Sequence, residues 1–274
     1  MTRNREARMS AIQDWCDWMA AGSASPATIN LRRRTVGSLL AHAGDDAELD
    51  TVTPMQIARW LGSQNAAWTR TTYRAGAVAF FSWLQASGQR VDDPTATLPK
   101  ARKPRSVPDP VDAAVLHRMF LAPLSGRSLA YITLAAFAGL RVSEIAAMHA
   151  GQVEGEWLRI KGKGGHTAML PMHDRIGRLA VAHTSGFWFP GMYDGHVRPS
   201  SVSQTIKRAM LAAGAPPTAH AHQLRHGFGT ELMKQTGDIR VVSELMRHAS
   251  IQTTMGYTFV SDDRRLNAIS RLRA

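Results

Sequence analysis

The sequence predicts a mainly α-helical protein of two domains, with one small β-sheet in the second (an α+β arrangement). Three observations carry that reading. Apolar residues recur at three- and four-residue spacing over most of the 274-residue chain. Period-two alternation is confined to residues 157–161 and 167–172, on either side of the glycine-rich run 162–165. Residues 98–110, LPKARKPRSVPDP, hold four prolines and four basic residues, a composition that extends a chain rather than folding it.

Taken in order, residues 5–21 read as a first helix with Ile12, Trp15, Trp18 and Met19 on one side. A second is expected over 28–42, with Leu31, Val36, Leu39 and Leu40 apolar and Arg32, Arg33 and Arg34 clustered near its start. Those arginines read equally as a solvated helix end or as a track for a phosphate backbone. Thr53 caps a third helix over 54–61, with proline at its first position. A fourth starts at Thr69 or Thr71 and runs through Tyr73, Phe80, Phe81, Trp83 and Leu84 to a stop at Gly88. Residues 1–98 thus form a small all-α domain, and 99–110 form the linker. In the second domain, 111–274, helices are expected over 111–120 and 129–137. Gly139 interrupts, and a further helix starts over 141–148. The hairpin follows, then helices over 176–183 and 201–213, the latter carrying Lys207 and Arg208.

Composition narrows the function. A single cysteine, Cys16, excludes an intrachain disulfide and a cysteine-based metal cluster. The N-terminus is interrupted by Asp14 and Asp17 and is not a secretory signal. The longest apolar run, 130–140, is too short to span a bilayer and ends at Arg141. Net charge is +12. Residues 1–98 carry ten Lys/Arg against nine Asp/Glu, the linker four against one, and 111–274 nineteen against eleven. A basic excess concentrated in the linker and second domain points to a polyanion, with nucleic acid foremost. Lys100, Arg102, Lys103 and Arg105 make the linker either a solvated tether or a segment that follows a DNA backbone.

Several residues bear chemistry. Arg141 follows the apolar run, where a buried guanidinium needs an anion. Glu144, one turn on, offers a local ion pair, and an external phosphate gripped through two oxygens is the other partner. Lys163 sits at the hairpin tip, in KGKGG with Lys161. It is an exposed basic turn or, with its pKa lowered by neighbouring cations, a proton donor to a departing alkoxide. His222 and Arg225 share a face if helical, with His226 nearby. His248 follows Leu245, Met246 and Arg247 at an expected helix end, where a cation is favoured. Tyr257 lies nine residues further. It is a packing tyrosine, or a nucleophile if a base or cationic field assists the phenol.

The order AGLRVSEI, KGKGG on a hairpin, HQLRH and HASIQTTMGYT closely resembles the tyrosine recombinases, the phage-integrase and Xer-type site-specific recombinases. The stretch 71–94 is similar to the end of that family's helical core-binding domain, so the resemblance covers essentially the whole chain. It implies that 1–98 is a core-type DNA-binding domain and 111–274 the catalytic domain, the two closing as a clamp around DNA. It implies Arg141 and Arg225 as phosphate-binding arginines, Lys163 as general acid for the departing 5′ oxygen, and His222 as an aid to proton transfer. His248 would hydrogen-bond the phosphate, and Tyr257 would form a 3′-phosphotyrosyl link. Lys161, Lys207 and Arg208 join Arg32–Arg34 and the linker cations as candidate DNA contacts. No metal and no cofactor are expected: arginines neutralise the phosphate, and the covalent link stores the phosphodiester energy. The implied partners are a double-stranded core site, a homotetramer on two such sites formed from free monomers, and a directionality factor, in the cytoplasm with no membrane.

The chain departs from the family in three ways. Arg247 stands where a glycine usually precedes the histidine. The hairpin lacks further basic residues after its lysine, for which Lys161 would compensate. No arm-binding domain is expected ahead of the core-binding domain, as in simple integrases and Xer enzymes. Integration and excision of a mobile element or phage genome, through a Holliday junction, is the leading expectation. The alternatives are an Xer-like dimer resolvase, a type IB topoisomerase-like relaxase and a catalytically silent DNA-binding protein. The charge distribution predicts DNA affinity that falls by about three orders of magnitude between about 50 and 200 mM salt; fluorescence anisotropy on a labelled duplex measures this, and a flat response would exclude a phosphate-dominated interface.

Overall fold

The computed structural model describes residues 2–44, 48–99, 108–161 and 167–247. The chain divides into two compact units, Met1–Arg105 and Ser106–Ala274.

The first unit is built on α1 (Thr2–Ala21), α2 (Pro26–Ala43), α3 (Pro54–Gly62) and α4 (Ala67–Ala86). Caps set where two of them begin. Ser25 accepts the Thr28 N–H at the start of α2. At α3, Thr53 and Gln56 cap each other's backbone N–H groups, and Pro54 occupies the first turn, where no donor is needed. The core joins Trp15 of α1, Val36 and Leu39 of α2, Trp60 of α3 and Phe80 of α4, all buried. Trp15 meets Phe80 edge-on at 5.0 Å. Gly76 lets α4 approach α2, since a Cβ there would lie 2.8 Å from Thr35 Cγ2. One expectation is corrected. Trp18 is 59% exposed, and the buried stripe of α1 runs through Arg8, Ala11, Trp15 and Met19 toward Cys16. A stripe centred between Trp15 and Met19 leaves Trp18 about a quarter-turn from its centre, just beyond the edge that Ala11 marks. Leu31 likewise faces solvent.

The second unit contains α5 (Ala113–Leu121), α6 (Gly126–Phe137) and α7 (Val142–Ala146). A three-stranded antiparallel sheet follows, of order β1 (Val153–Glu154), β2 (Trp157–Lys161), β3 (Thr167–Pro171). Then come α8 (Asp174–Ala180), α9 (Pro199–Ala212), α10 (His222–Thr236) and α11 (Ile239–Leu245). The strands alternate as expected: Leu158, Ile160 and Leu170 point into the core, and their neighbours on β2 are exposed. Helix α6 is the centre of this unit. Its residues Ala130–Ala135 are all buried, and α7, α8, α9 and α10 pack around it. An apolar surface on every side suits a helix enclosed by others.

The described residues on either side of 100–107 are each anchored within their own unit. Leu98 is buried in the first core, and Arg74 donates to the carbonyls of Leu98 and Pro99 at 3.1 and 3.0 Å. On the other side, the Val111 N–H donates to the Gln223 carbonyl at 3.2 Å, and Gln223 Nε2 to Asp109 Oδ2 at 2.6 Å.

The turn from α6 to α7 depends on Gly139. Its φ is +57°, and a Cβ there would sit 2.4 Å from Phe228 Cδ1 on α10. Gly139→Ala combines a left-handed alanine with a clash against a packed ring, and is expected to destabilise the protein by about 3 kcal/mol. Chemical denaturation measures that, and a loss below about 1 kcal/mol would mean that α10 yields easily at this point.

Candidate active site

Of the expected site residues, Arg141, His222 and Arg225 are described, and the fold gathers them around the α6–α7 turn. Lys163, His248 and Tyr257 lie outside the described residues, as do Lys100, Arg102, Lys103 and Arg105.

Arg141 is the N-cap residue of α7. Its backbone N–H donates to Glu144 Oε2 and its Nη1 to Glu144 Oε1, both at 2.8 Å. The ion pair anticipated between these two is therefore formed. It does not enclose the arginine, whose side chain keeps 35% of its surface. Among the described residues, Glu144 is the only partner of the Arg141 guanidinium, leaving N–H groups for a further anion.

Arg225, on the first turn of α10, is 1% exposed. Nη1 donates to the carbonyl of Gly139 and Nη2 to that of Met246. The sequence offered no signal for these acceptors, because they are backbone groups made available by turns. Arg247 converges on the same place. It donates to Glu144 Oε2 at 2.9 Å, to the Gly139 carbonyl at 3.2 Å and to the Ala138 carbonyl at 3.3 Å. Burial works to neutralise Glu144, but Arg247 foremost, then the backbone and side-chain contacts from Arg141, hold its carboxyl below the usual range.

His222 opens α10, one turn before its neighbour His226, with ring centroids 4.6 Å apart. His226 Nδ1 accepts the Asp109 N–H at 2.9 Å. Partial burial, then the positive neighbours His226, Arg225, His220 and Arg141, lower the pKa of His222 from 6.5 to about 4. His222 as a whole is exposed, and solvent reaches the outer edge of its ring. A neutral imidazole at physiological pH is able to accept a proton.

The remaining candidate cations are distributed. Lys161 is exposed at the end of β2. On α9, Lys207 is half-buried and Arg208 exposed, with Nη2 3.3 Å from Thr205 Oγ1. On α2, Arg33 and Arg34 are exposed, while Arg32 lies back toward Met19 Sδ at 3.9 Å. No group of three or more His, Cys, Asp or Glu suited to a metal occurs among the described residues. Among them, no helix is long and apolar enough to cross a membrane.

Known proteins match this arrangement. Residues 112–264 fit the sequence profile of the phage integrase family. The chain is 30% identical over 266 residues to tyrosine recombinase XerC of Chromohalobacter salexigens, covering 87% of each protein. It is 40% identical to the integrase from mycobacterium phage Brujita, covering 96% of this chain and 92% of that one with a TM-score of 0.51. A likeness of fold extends to lambda integrase. The match to its dimer bound to a core site has 18% identity and a TM-score of 0.74, over 89% of this chain and 96% of that one. The match to its tetramer bound to a Holliday junction has 18% identity and a TM-score of 0.73, over 93% and 79%.

The lowered pKa of His222 has a consequence for stability. Between about pH 4 and 6.5 the unfolded chain binds a proton at this position that the folded chain resists. Stability contributed here is present above that window and lost as pH falls through it. Thermal midpoints measured from pH 7 to 4 should therefore decline less steeply in His222→Gln than in the parent protein; parallel declines would mean that this imidazole titrates normally.

Proposed function

The chain belongs to the phage integrase family of tyrosine recombinases, and from that membership we propose that it is a site-specific recombinase cutting and rejoining DNA through Tyr257. The observation that supports this most is the convergence of Arg141, Arg225 and a neutral-tending His222 at the α6–α7 turn. The Tyr257 hydroxyl oxygen attacks phosphorus at the core site. The new P–O bond forms as the bond to the 5′ oxygen breaks. His222 takes the phenolic proton, and Lys163 donates one to the departing oxygen. Arg141, with Arg225 and His248, supplies the positive charge that meets the non-bridging oxygens as they become negative, where fixed donors contribute most to catalysis. Rejoining reverses these steps with the 5′ hydroxyl of the exchanged strand.

In this reading, residues 1–98 grip the core site and 111–274 carry out the chemistry, with Arg32–Arg34, Lys161, Lys207, Arg208 and the linker cations on DNA phosphates. Monomers assemble as a tetramer on two sites, by analogy with the lambda integrase complex. A directionality factor would bias the outcome. Integration and excision of a mobile genome is favoured by the 40% identity to a phage integrase. Dimer resolution is the second reading, favoured by the XerC relative.

Incubation with a nicked duplex carrying the protein's own core site should trap a covalent protein–DNA adduct, resolved by denaturing electrophoresis. Tyr257→Phe should abolish the adduct while retaining DNA binding; an adduct that persists in this variant would remove Tyr257 as nucleophile.

A further inference from the structure

Arg247 combines three features seldom found on one residue. Its backbone is left-handed, with φ +53°, a conformation that an arginine adopts at a cost glycine does not bear. Its side chain is 4% exposed. Its guanidinium bridges segments more than a hundred residues apart, joining the end of α11 to Ala138, Gly139 and Glu144. An unfavourable backbone and a desolvated charge persist together when the surroundings over-determine them.

The arrangement at Glu144 indicates what the residue does. The carboxylate serves two guanidinium groups. Oε1 accepts Nη1 of Arg141, while Oε2 accepts the Arg141 backbone N–H and Nη2 of Arg247. Arginine and carboxylate otherwise favour a two-pronged pair, fork to fork. With Oε2 already engaged by Arg247, Arg141 makes a single side-chain bond and retains its solvent-facing surface.

We propose that Arg247 is a positioning residue, which occupies one oxygen of Glu144 and thereby keeps the Arg141 guanidinium available to the DNA phosphate. This rests on the recombinase reading, in which Arg141 binds that phosphate. Without Arg247, Oε2 is open to a second donor and the carboxylate captures the Arg141 guanidinium through both oxygens, in competition with the phosphate. The effect falls on the chemical step more than on DNA binding, which is spread over many cations.

The test is single-turnover adduct formation on the nicked core-site duplex at saturating DNA, with binding measured separately. Arg247→Gly, which relieves the backbone, should form adduct about 10- to 100-fold more slowly with affinity changed less than about 3-fold. Glu144→Gln added to Arg247→Gly should recover at least about 10-fold, because a neutral amide does not capture Arg141. Arg247→Lys, which keeps a cation beside Glu144, should lie between the parent and Arg247→Gly. Parent-like rates in Arg247→Gly, or no recovery in a double variant that still binds DNA, would overturn the proposal. Should Arg247→Gly not fold, Arg247→Lys with and without Glu144→Gln reads the same coupling, and an absence of recovery there would equally overturn it. A parent protein that forms no adduct would instead defeat the recombinase reading itself.

Discussion

The carbonyl of Gly139 is the constraint on which the second unit depends. Two guanidinium groups, from Arg225 and Arg247, donate to this one oxygen. One arrives on α10 and the other from the end of α11, while the carbonyl belongs to the turn after α6. Three separate parts of the chain are therefore tied at a single acceptor. The acceptor is available because glycine turns the backbone into the left-handed region, with the Phe228 ring packed where a side chain would otherwise stand. Burying two cations against backbone oxygens alone would be costly, and Glu144 compensates by placing a full negative charge beside Arg247.

That arrangement sets the electrostatic character of the site. Two guanidinium groups, of Arg141 and Arg247, share one carboxylate, and a third, of Arg225, meets Arg247 at the Gly139 carbonyl, so the cluster is positive after its internal pairing. The nearby imidazoles are discouraged from adding to it. Burial first, and then neighbouring positive groups, lower the pKa of both His222 and His226. A site of this kind holds fixed positive charge for an anion while retaining a base that is still able to accept a proton.

Much of this was legible in the sequence. The helices of the first unit, the β2–β3 hairpin and the buried course of α6 all follow from periodicity, caps and breakers, because local rules governed them. The stripe on α1 was misjudged at Trp18, since a tryptophan looks like core on any face and only packing decides which face is buried. The pairing of Arg141 with Glu144 was visible from their three-residue spacing. The role of Arg247 was not. Its position before His248 stood out as unusual, but its partners lie more than a hundred residues away, and two of them are carbonyls that carry no signature in the one-letter code. The anchoring of Asp109 by Gln223 was hidden by a similar separation along the chain, inside a segment whose composition suggested a tether or a track for DNA.

Cys16 has a practical bearing. It is the chain's single cysteine and lies buried on the inner side of α1, where burial pushes the thiol above its ordinary pKa, with Arg33 partly opposing. A thiol that is both enclosed and protonated reacts slowly with maleimides. The protein is in effect already cysteine-free for labelling chemistry. One cysteine introduced at an exposed position with no assigned role, such as Val181, would take a fluorophore selectively, opening strand exchange to single-molecule observation without first disturbing the core around Trp15.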